Sequence, residues 1–378
     1  MDFTHTEERR MIADQTAKMI ANAYPIDVRH NHAESEFGFS RDMWGQFAEL
    51  GLIGALFREE VGGFGGAGFD LAIIFEELGR GLVVEPFMAT LLAGTALQEA
   101  GSEAQKAQLE SVISGETLIA FAHGEPDGRY ELSHVRTTAE AVGSNYRLTG
   151  NKAVVINGDA ADHIVVSARH SGDHDDCAGL SLYLIDKNAE GLSIRGYPTV
   201  DGLHAAELTL TNVEAEVLEG AAKDAYPIIE KVMGAGVLAL SAEALGAMDV
   251  ASKMTLDYLK TRTQFGRPIG TFQALQHRMA DMMMEIEQMR SSVINAADRF
   301  DSDYVSREWA LSAAKNLTGT IGRVVAEESI QLHGGIAMTW EYALGHYAKR
   351  IVMIDHVLGD ADHHMERAIS LRPRCVKG

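Results

Sequence analysis

Two short stretches hold the side chains best suited to chemistry. Between two strongly helical segments the chain inserts Arg262-Thr263-Gln264-Phe265-Gly266-Arg267-Pro268. A helix-to-helix connection needs only a glycine or asparagine and a few polar residues. Two arginines, a glutamine and a phenylalanine exceed that need, so the turn is expected to do more than join two helices. The second stretch, His333-Gly334-Gly335, follows a helical pattern. Glycine stops a helix, and two adjacent glycines also let backbone N–H groups approach a phosphate closely.

Other patterns carry less. Gly63-Phe64-Gly65-Gly66-Ala67-Gly68 spells GxGxxG, but a dinucleotide fold needs a strand before it and βαβ units after it. The preceding run begins with helical spacing, so these glycines are expected to form a flexible loop near the active-site mouth. Asp355, His356, Asp360, Asp362, His363 and His364 are of metal-ligand type. They lack HExxH-like spacing, and Asp360 suits the N-cap of a last helix, so no metal is expected. No GxSxG elbow or Cys–His pairing supports nucleophilic hydrolysis.

The elements that must position these residues fall into three segments. At 378 residues, with 46% hydrophobic and 23% charged, the chain reads as a globular protein of two or three domains. Residues 1–115 are helical in pattern, with Met43, Trp44, Phe47, Leu50 and Leu71, Ile74, Phe75, Leu78 at three-to-four spacing. Ser40 and Asp70 are expected N-caps there, with Gly79 and Gly81 as stops. Residues 116–223 contain six short Val/Ile/Leu/Tyr-rich runs separated by turn residues, which predicts an antiparallel barrel or sandwich. Residues 224–378 return to helix at 225–262, 271–300, 304–331 and 339–356, with a last helix after Gly359, which predicts an up-down bundle. No apolar run is long enough to span a membrane. The opening MDFTHTEERRMIADQ reads as an amphipathic helix rather than a secretory signal. Cys177 and Cys375 offer no disulfide framework, which points to a reducing, cytoplasmic setting. A net charge of −21 leaves no basic stripe for nucleic acid.

Taken together, these pieces resemble the acyl-CoA dehydrogenase family over essentially the whole chain. The resemblance is carried by KTRTQFGRPIGTFQALQHRMADM (260–282) and QLHGGIAMTWE (331–341). It is supported by REEVGGFGG (58–66), FEELGRGL (75–82), GNKAVVINGDAADHIVVSAR (150–169) and SAEALGAM (241–248). It implies an α+β fold: an N-terminal helical domain, a middle antiparallel β-barrel domain and a C-terminal four-helix bundle. It also implies FAD-dependent α,β-dehydrogenation of an acyl-CoA thioester, with electrons leaving to an electron-transfer flavoprotein. Carried over, Arg262, with Gln264 in the same turn, meets the FAD pyrophosphate across a dimer interface. Phe265 packs on the nucleotide, and Gln273 reaches the adenosine end. Gln331, Gly334 and Gly335 contact the ADP part from the neighbouring subunit. Phe121, His123 and Glu125 occupy the usual flavin-facing stretch of the middle domain. The implied assembly is a tetramer, a dimer of dimers.

The departures from that pattern concern the catalytic base. The family carries it either between the last two helices, where Leu358 and Gly359 stand here, or in the helix before the arginine turn, where Gly236 stands. The usual flavin-stacking Trp and Thr are replaced by Val154 and Ile156, and the usual CoA-holding residues lack a clear counterpart. Glu243 is the candidate base. It lies two turns beyond Gly236 on the same helical face, flanked by small apolar residues that tune a carboxylate toward proton abstraction. The alternative for Glu243 is a buried structural ion pair. Glu230 is expected to face solvent, and Asp360 to cap a helix. Loss of both usual base positions also fits a half-site subunit of a heteromeric dehydrogenase, with a paralogous chain supplying the base; a flavin-binding protein of the same fold with other chemistry is the remaining reading. Small residues at Gly234, Ala235, Gly236 and Ala239 suggest room for a bulky, branched or cyclic acyl group, as in fatty acid or steroid side-chain catabolism.

Overall fold

The computed structural model describes residues 6–143 and 145–371; Cys375 lies outside them. The chain packs as two compact units. One joins the segment ending at Arg29, residues Ala67–Val83 and the chain from Val237 onward. The other joins His30–Gly66 and Val84–Gly236.

Helices α1 (Glu7–Ala23), α2 (Ile26–Ala33), α3 (Arg41–Glu49), α4 (Gly68–Gly81), α5 (Phe87–Ala100), α6 (Glu103–Ala107) and α7 (Leu109–Ile113) open the chain. Ser40 caps α3 through Met43 N–H at 3.2 Å. Asp70 is not the N-cap of α4. That helix begins one turn earlier, and the Asp70 carboxylate reaches back to accept from Ala67 N–H at 3.0 Å. Gly79 does not stop α4 but lies inside it; Gly81 is its last residue, and Leu82, at φ 50°, takes the left-handed position after it. A Cβ on Gly79 would stand 2.0 Å from the Glu243 carbonyl oxygen, so that glycine serves a helix crossing rather than a terminus.

The sheet-bearing unit contains β1 (Ile119–Ala122), β2 (Thr138–Val142), β3 (Asn145–Ile156), β4 (His163–Arg169), β5 (Leu180–Asp186), β6 (Leu192–Pro198) and β7 (His204–Val217). Strands β2, β3, β7, β5 and β4 close a ring, sealed where Thr138 pairs with Arg169, while β1 and β6 extend it. Pairing is antiparallel except for β1 and β2 against β4. Ala120, Leu148, Ile164, Val166, Tyr183 and Leu208 fill the interior. Strand β2 is not among the runs expected from sequence. Its TAEAV is largely exposed and carries no apolar signal. β3 breaks register twice, and Val154, 60% exposed at φ 52°, sits at the second break.

The expected flexible loop at Gly63–Gly68 is a tight fold-back. Gly65 N–H bonds Phe57 O and Gly66 N–H bonds Ala55 O, both at 2.9 Å. A Cβ at Gly63 or Gly65 would lie 2.2 Å from a backbone oxygen. No strand precedes it; two 3-10 turns do.

The rest of the chain forms α8 (Tyr226–Thr261), β8 (Thr263–Gln264), β9 (Arg267–Pro268), α9 (Gln273–Arg299), α10 (Tyr304–His333), α11 (Leu344–His356) and α12 (Ala361–Leu371). α10 packs against α9, α11 and α12. α8 joins this bundle through Ser241, which accepts from the Thr318 hydroxyl at 3.1 Å, and through Glu243 paired with Arg350 of α11. Helix α11 starts at Leu344 rather than at 339, because residues 339–343 form a turn whose Trp340 carbonyl is taken up by His346 Nε2 at 2.8 Å.

Candidate functional site

The arginine turn is a two-residue β-hairpin. Thr263 pairs with Pro268 and Gln264 with Arg267, while Phe265 (φ 53°) and Gly266 (φ 79°) are both left-handed. Two consecutive left-handed residues make a primed turn whose twist matches its strands. Glycine meets that demand freely; phenylalanine costs about 1–2 kcal/mol there. The strain presents the ring outward, 90% exposed. Arg267 lies 4.1 Å from the centre of the Phe272 ring and is thereby oriented. Arg262 is exposed, and among the described residues its guanidinium makes no hydrogen bond or ion pair. Gln264 is also exposed, its amide donating to Thr263 O at 2.9 Å, and Gln273 is exposed at the start of α9.

The diglycine lies beside this hairpin. Tyr258, whose carbonyl accepts from Arg262 N–H at 2.8 Å, stacks on His333 at 4.5 Å. His333 closes α10 and is backed by Tyr342 at 5.4 Å. Its Nδ1 donates to Ser329 O at 2.8 Å, and burial lowers its pKa, so the ring is a neutral spacer. Gly334 follows at φ 69°, ψ −149°, a conformation essentially reserved for glycine. A Cβ on Gly334 or Gly335 would meet nothing within 4 Å. Nothing within the chain crowds them, so an outside group can approach their backbone. Gln331 is exposed one turn earlier. Arg262, Phe265 and Gln331 are exposed and the Gly334 and Gly335 backbone is open, so these are groups that could hold a phosphate-bearing cofactor.

Phe121, His123 and Glu125 are each buried to within 8%. Lys152, fully buried, ties the last two together: its Nζ donates to His123 O at 3.1 Å, Ser167 Oγ at 3.1 Å and Glu125 Oε1 at 2.8 Å. Burial pulls Lys152 down to about 8, with Glu125 countering. Glu125 also accepts from Thr137 Oγ1 at 2.6 Å, Thr137 N at 3.0 Å and Arg136 N at 2.7 Å. Burial opposes its ionisation, but Lys152 and these donors prevail and hold its pKa below the ordinary value. Burial, aided by the Lys152 charge, pushes His123 down to about 3, so it stays neutral beside Ser167 Oγ at 2.9 Å.

Glu243 is met by a fork. Arg350 Nε lies 2.6 Å from Oε1 and its Nη2 2.7 Å from Oε2, with both residues buried. A carboxylate held at both oxygens by a guanidinium is poorly placed to accept a substrate proton. Glu230 is buried rather than solvent-facing, at 5% exposure, because the apolar run that follows it carries its side of α8 inward. Asp360 caps α12 through His363 N–H at 2.9 Å. The corner at the other usual base position is closed as well. Leu358 adopts φ 57° and Gly359 φ 105°. Fully buried Lys315 donates to Asp355 O at 3.0 Å and Gly359 O at 2.5 Å, and His364 Nε2 binds Leu358 O at 2.8 Å. Arg350 and Lys315 were missed in the sequence. Their only signal is a lone cation within an otherwise inward-facing helical stripe.

The chain thus combines a helical bundle, a closed β sheet and an arginine hairpin whose neighbour Tyr258 stacks on His333, next to the diglycine. Family models agree over three segments: the acyl-CoA dehydrogenase N-terminal domain at residues 6–116, the middle domain at 120–213 and the C-terminal domain at 226–368. The acyl-CoA dehydrogenase IpdE2 of Mycobacterium tuberculosis is 32% identical over 92% of this chain and 92% of its own length. A solved variant of the Tcur3481–Tcur3483 steroid ACAD is 31% identical, with a TM-score of 0.87 and 97% of each chain covered. The FAD complex of PigA is 26% identical, with a TM-score of 0.88 and 99% and 100% covered. The chain belongs to the acyl-CoA dehydrogenase family, oxidoreductases acting on CH–CH groups.

Proposed function

We propose that this chain is a subunit of an FAD-dependent acyl-CoA dehydrogenase that contributes the ADP-binding end of the flavin site and draws its catalytic carboxylate from a paralogous chain. One observation carries this reading: Glu243, the only acidic side chain on the expected face of α8 within two turns of Gly236, is closed by Arg350, while Gly236 and Leu358 stand at the usual base positions. The similar steroid enzyme, whose name pairs two proteins, supports it.

Bound FAD would accept the hydride that leaves the acyl β-carbon. Arg262 would neutralise pyrophosphate, the Gly334 and Gly335 amides would face it, and Gln264, Gln273 and Gln331 would fix the nucleotide. The exposed Phe265 ring would cover it from one side, excluding water. Phe121 and His123, made rigid and neutral by Lys152 and Ser167, would give the flavin-facing wall a fixed shape. Reduced flavin would be reoxidised by an electron-transfer flavoprotein.

Residues 1–115, 116–223 and 224–378 would serve as the helical, β and bundle domains of a cytoplasmic tetramer, hetero- rather than homomeric. The substrate would be an acyl-CoA with a bulky, branched or cyclic acyl group, in keeping with Gly234, Ala235, Gly236 and Ala239 on α8. A second reading, a homotetramer with Glu243 as base, keeps some support from the position of Glu243 two turns beyond Gly236.

The test is anaerobic reduction of the flavin by steroid-type and straight-chain acyl-CoAs, with this chain alone and co-expressed with a paralogue. Flavin bleaching only in the co-expressed complex is the expected result. Bleaching by the chain alone, abolished in Glu243→Gln at full flavin content, would establish the second reading instead.

A further inference from the structure

Two loops of the sheet-bearing unit, after Glu131 and after Arg169, bring together three side chains that the flavin chemistry does not use. His134 Nδ1 lies 2.6 Å from Asp175 Oδ1, and His174 Nε2 lies 3.0 Å from Asp175 Oδ2. The two imidazole rings stand nearly perpendicular, 5.2 Å apart. One ligand-capable atom from each of the three residues falls within 4.8 Å of the other two. Nδ1 is the nitrogen that His134 turns to this cluster; its Nε2 points inward without a hydrogen-bond partner.

The backbone beneath is fixed in advance. The buried Arg169 guanidinium donates to Ser133 O at 2.9 Å and Val135 O at 3.1 Å in the first loop. In the second it donates to Asp176 O and Ala178 O at 2.8 Å, His174 O at 3.3 Å and Ser171 O at 3.4 Å. Val135 N–H adds a bond to His174 O at 2.9 Å. The three donor side chains thus project from two loops locked to each other.

We propose that His134, His174 and Asp175 form a binding site for one late first-row divalent cation of the zinc class, with water completing the coordination. Two imidazoles and one carboxylate are a borderline donor set that favours such metals, whereas calcium and magnesium favour oxygen-only shells. Metal bonds of about 2.0–2.2 Å in a tetrahedral shell place ligand atoms about 3.3 Å apart. To reach that spacing the 2.6 Å His134–Asp175 pair opens slightly, and the remaining ligand atoms, all within 4.8 Å of one another, draw in. His174 and Asp175, with side chains 49% and 65% exposed, are free to make these shifts.

The purified full-length protein is titrated with zinc chloride alone, with calorimetry and with dialysis followed by elemental analysis. Wild type is expected to bind one more equivalent than His174→Ala or Asp175→Asn, both exposed changes. His363→Ala, in the other histidine-rich stretch, retains the wild-type stoichiometry. Partial loss appears as a rise in Kd of about tenfold or more. Equal zinc stoichiometry and affinity in wild type, His174→Ala and Asp175→Asn would overturn the proposal and leave the cluster a hydrogen-bonded latch between loops.

Discussion

Glu243 and Arg350 meet across 107 positions of sequence. Removing one partner strands a buried charge, which costs about 3–5 kcal/mol, whereas replacing both with apolar residues of similar volume is often neutral. Arg350→Ala is therefore expected to lower the denaturant midpoint sharply, and Glu243→Leu with Arg350→Met to recover most of the loss; equilibrium unfolding of the three proteins checks this. The acid, its helical face and its small apolar neighbours were all legible in the chain. Its partner was not, because no local pattern says which of several inward-facing cations a distant helix will present. Arg262 is the opposite case, legible from its turn alone. Arg262→Ala should weaken FAD binding by about 10- to 150-fold, the equivalent of about 1.5–3 kcal/mol for a charged hydrogen bond, with the melting temperature of the flavin-free protein unchanged; fluorescence titration with FAD reads the first and calorimetry the second.

Among the elements, long apolar periodicity was the dependable signal, and α8, α9, α10 and α12 lie close to where it placed them. Exposed or compact elements were not. β2 pairs through its backbone with side chains left in solvent, so its sequence has no reason to look like a strand. The glycines of α4 looked like punctuation because a glycine that permits a turn and one that permits a close helix approach are the same letter. The hairpin at 263–268 allows a discriminating experiment. Gly266→Val forces a β-branched residue to φ 79°, a strain of about 1–3 kcal/mol. Because the hairpin is exposed, the expected loss is in FAD affinity with little change in global melting; equal loss in both would show that the turn supports the fold instead.

For the molecule as a whole, acid is the sensitive direction. His123 and His364 are both pushed down to about 3, chiefly by burial, against an ordinary value near 6.5. Both stay neutral in the folded state down to that range, while the unfolded chain takes up their protons below about 6.5. The stability they contribute is fully present above that point and is lost as pH falls toward about 3, at up to about 1.4 kcal/mol per pH unit for each residue. Denaturant midpoints measured from pH 7 to pH 4 should fall accordingly, and His364→Gln should remove about one proton's worth of the slope. Around neutral pH the exposed apolar surface should associate. Phe265, Met338 and Trp340 are 90%, 75% and 58% exposed, and light scattering of the co-expressed complex is expected to show an assembly larger than a dimer.

The crossing of α4 over α8 also bears on how such a chain changes over generations. A Cβ on Gly79 would fall 2.0 Å from Glu243 O, and one on Gly246 would fall 1.9 Å from Glu76 O. Each helix thus rests its backbone on the other at a glycine, and neither can roll about its own axis. Side chains elsewhere on α8 are free to drift, but the direction each position faces is not. A lineage that has lost its acid from this helix cannot regain it by a slight rotation that brings a neighbouring residue into register; it must mutate the original position or recruit another polypeptide.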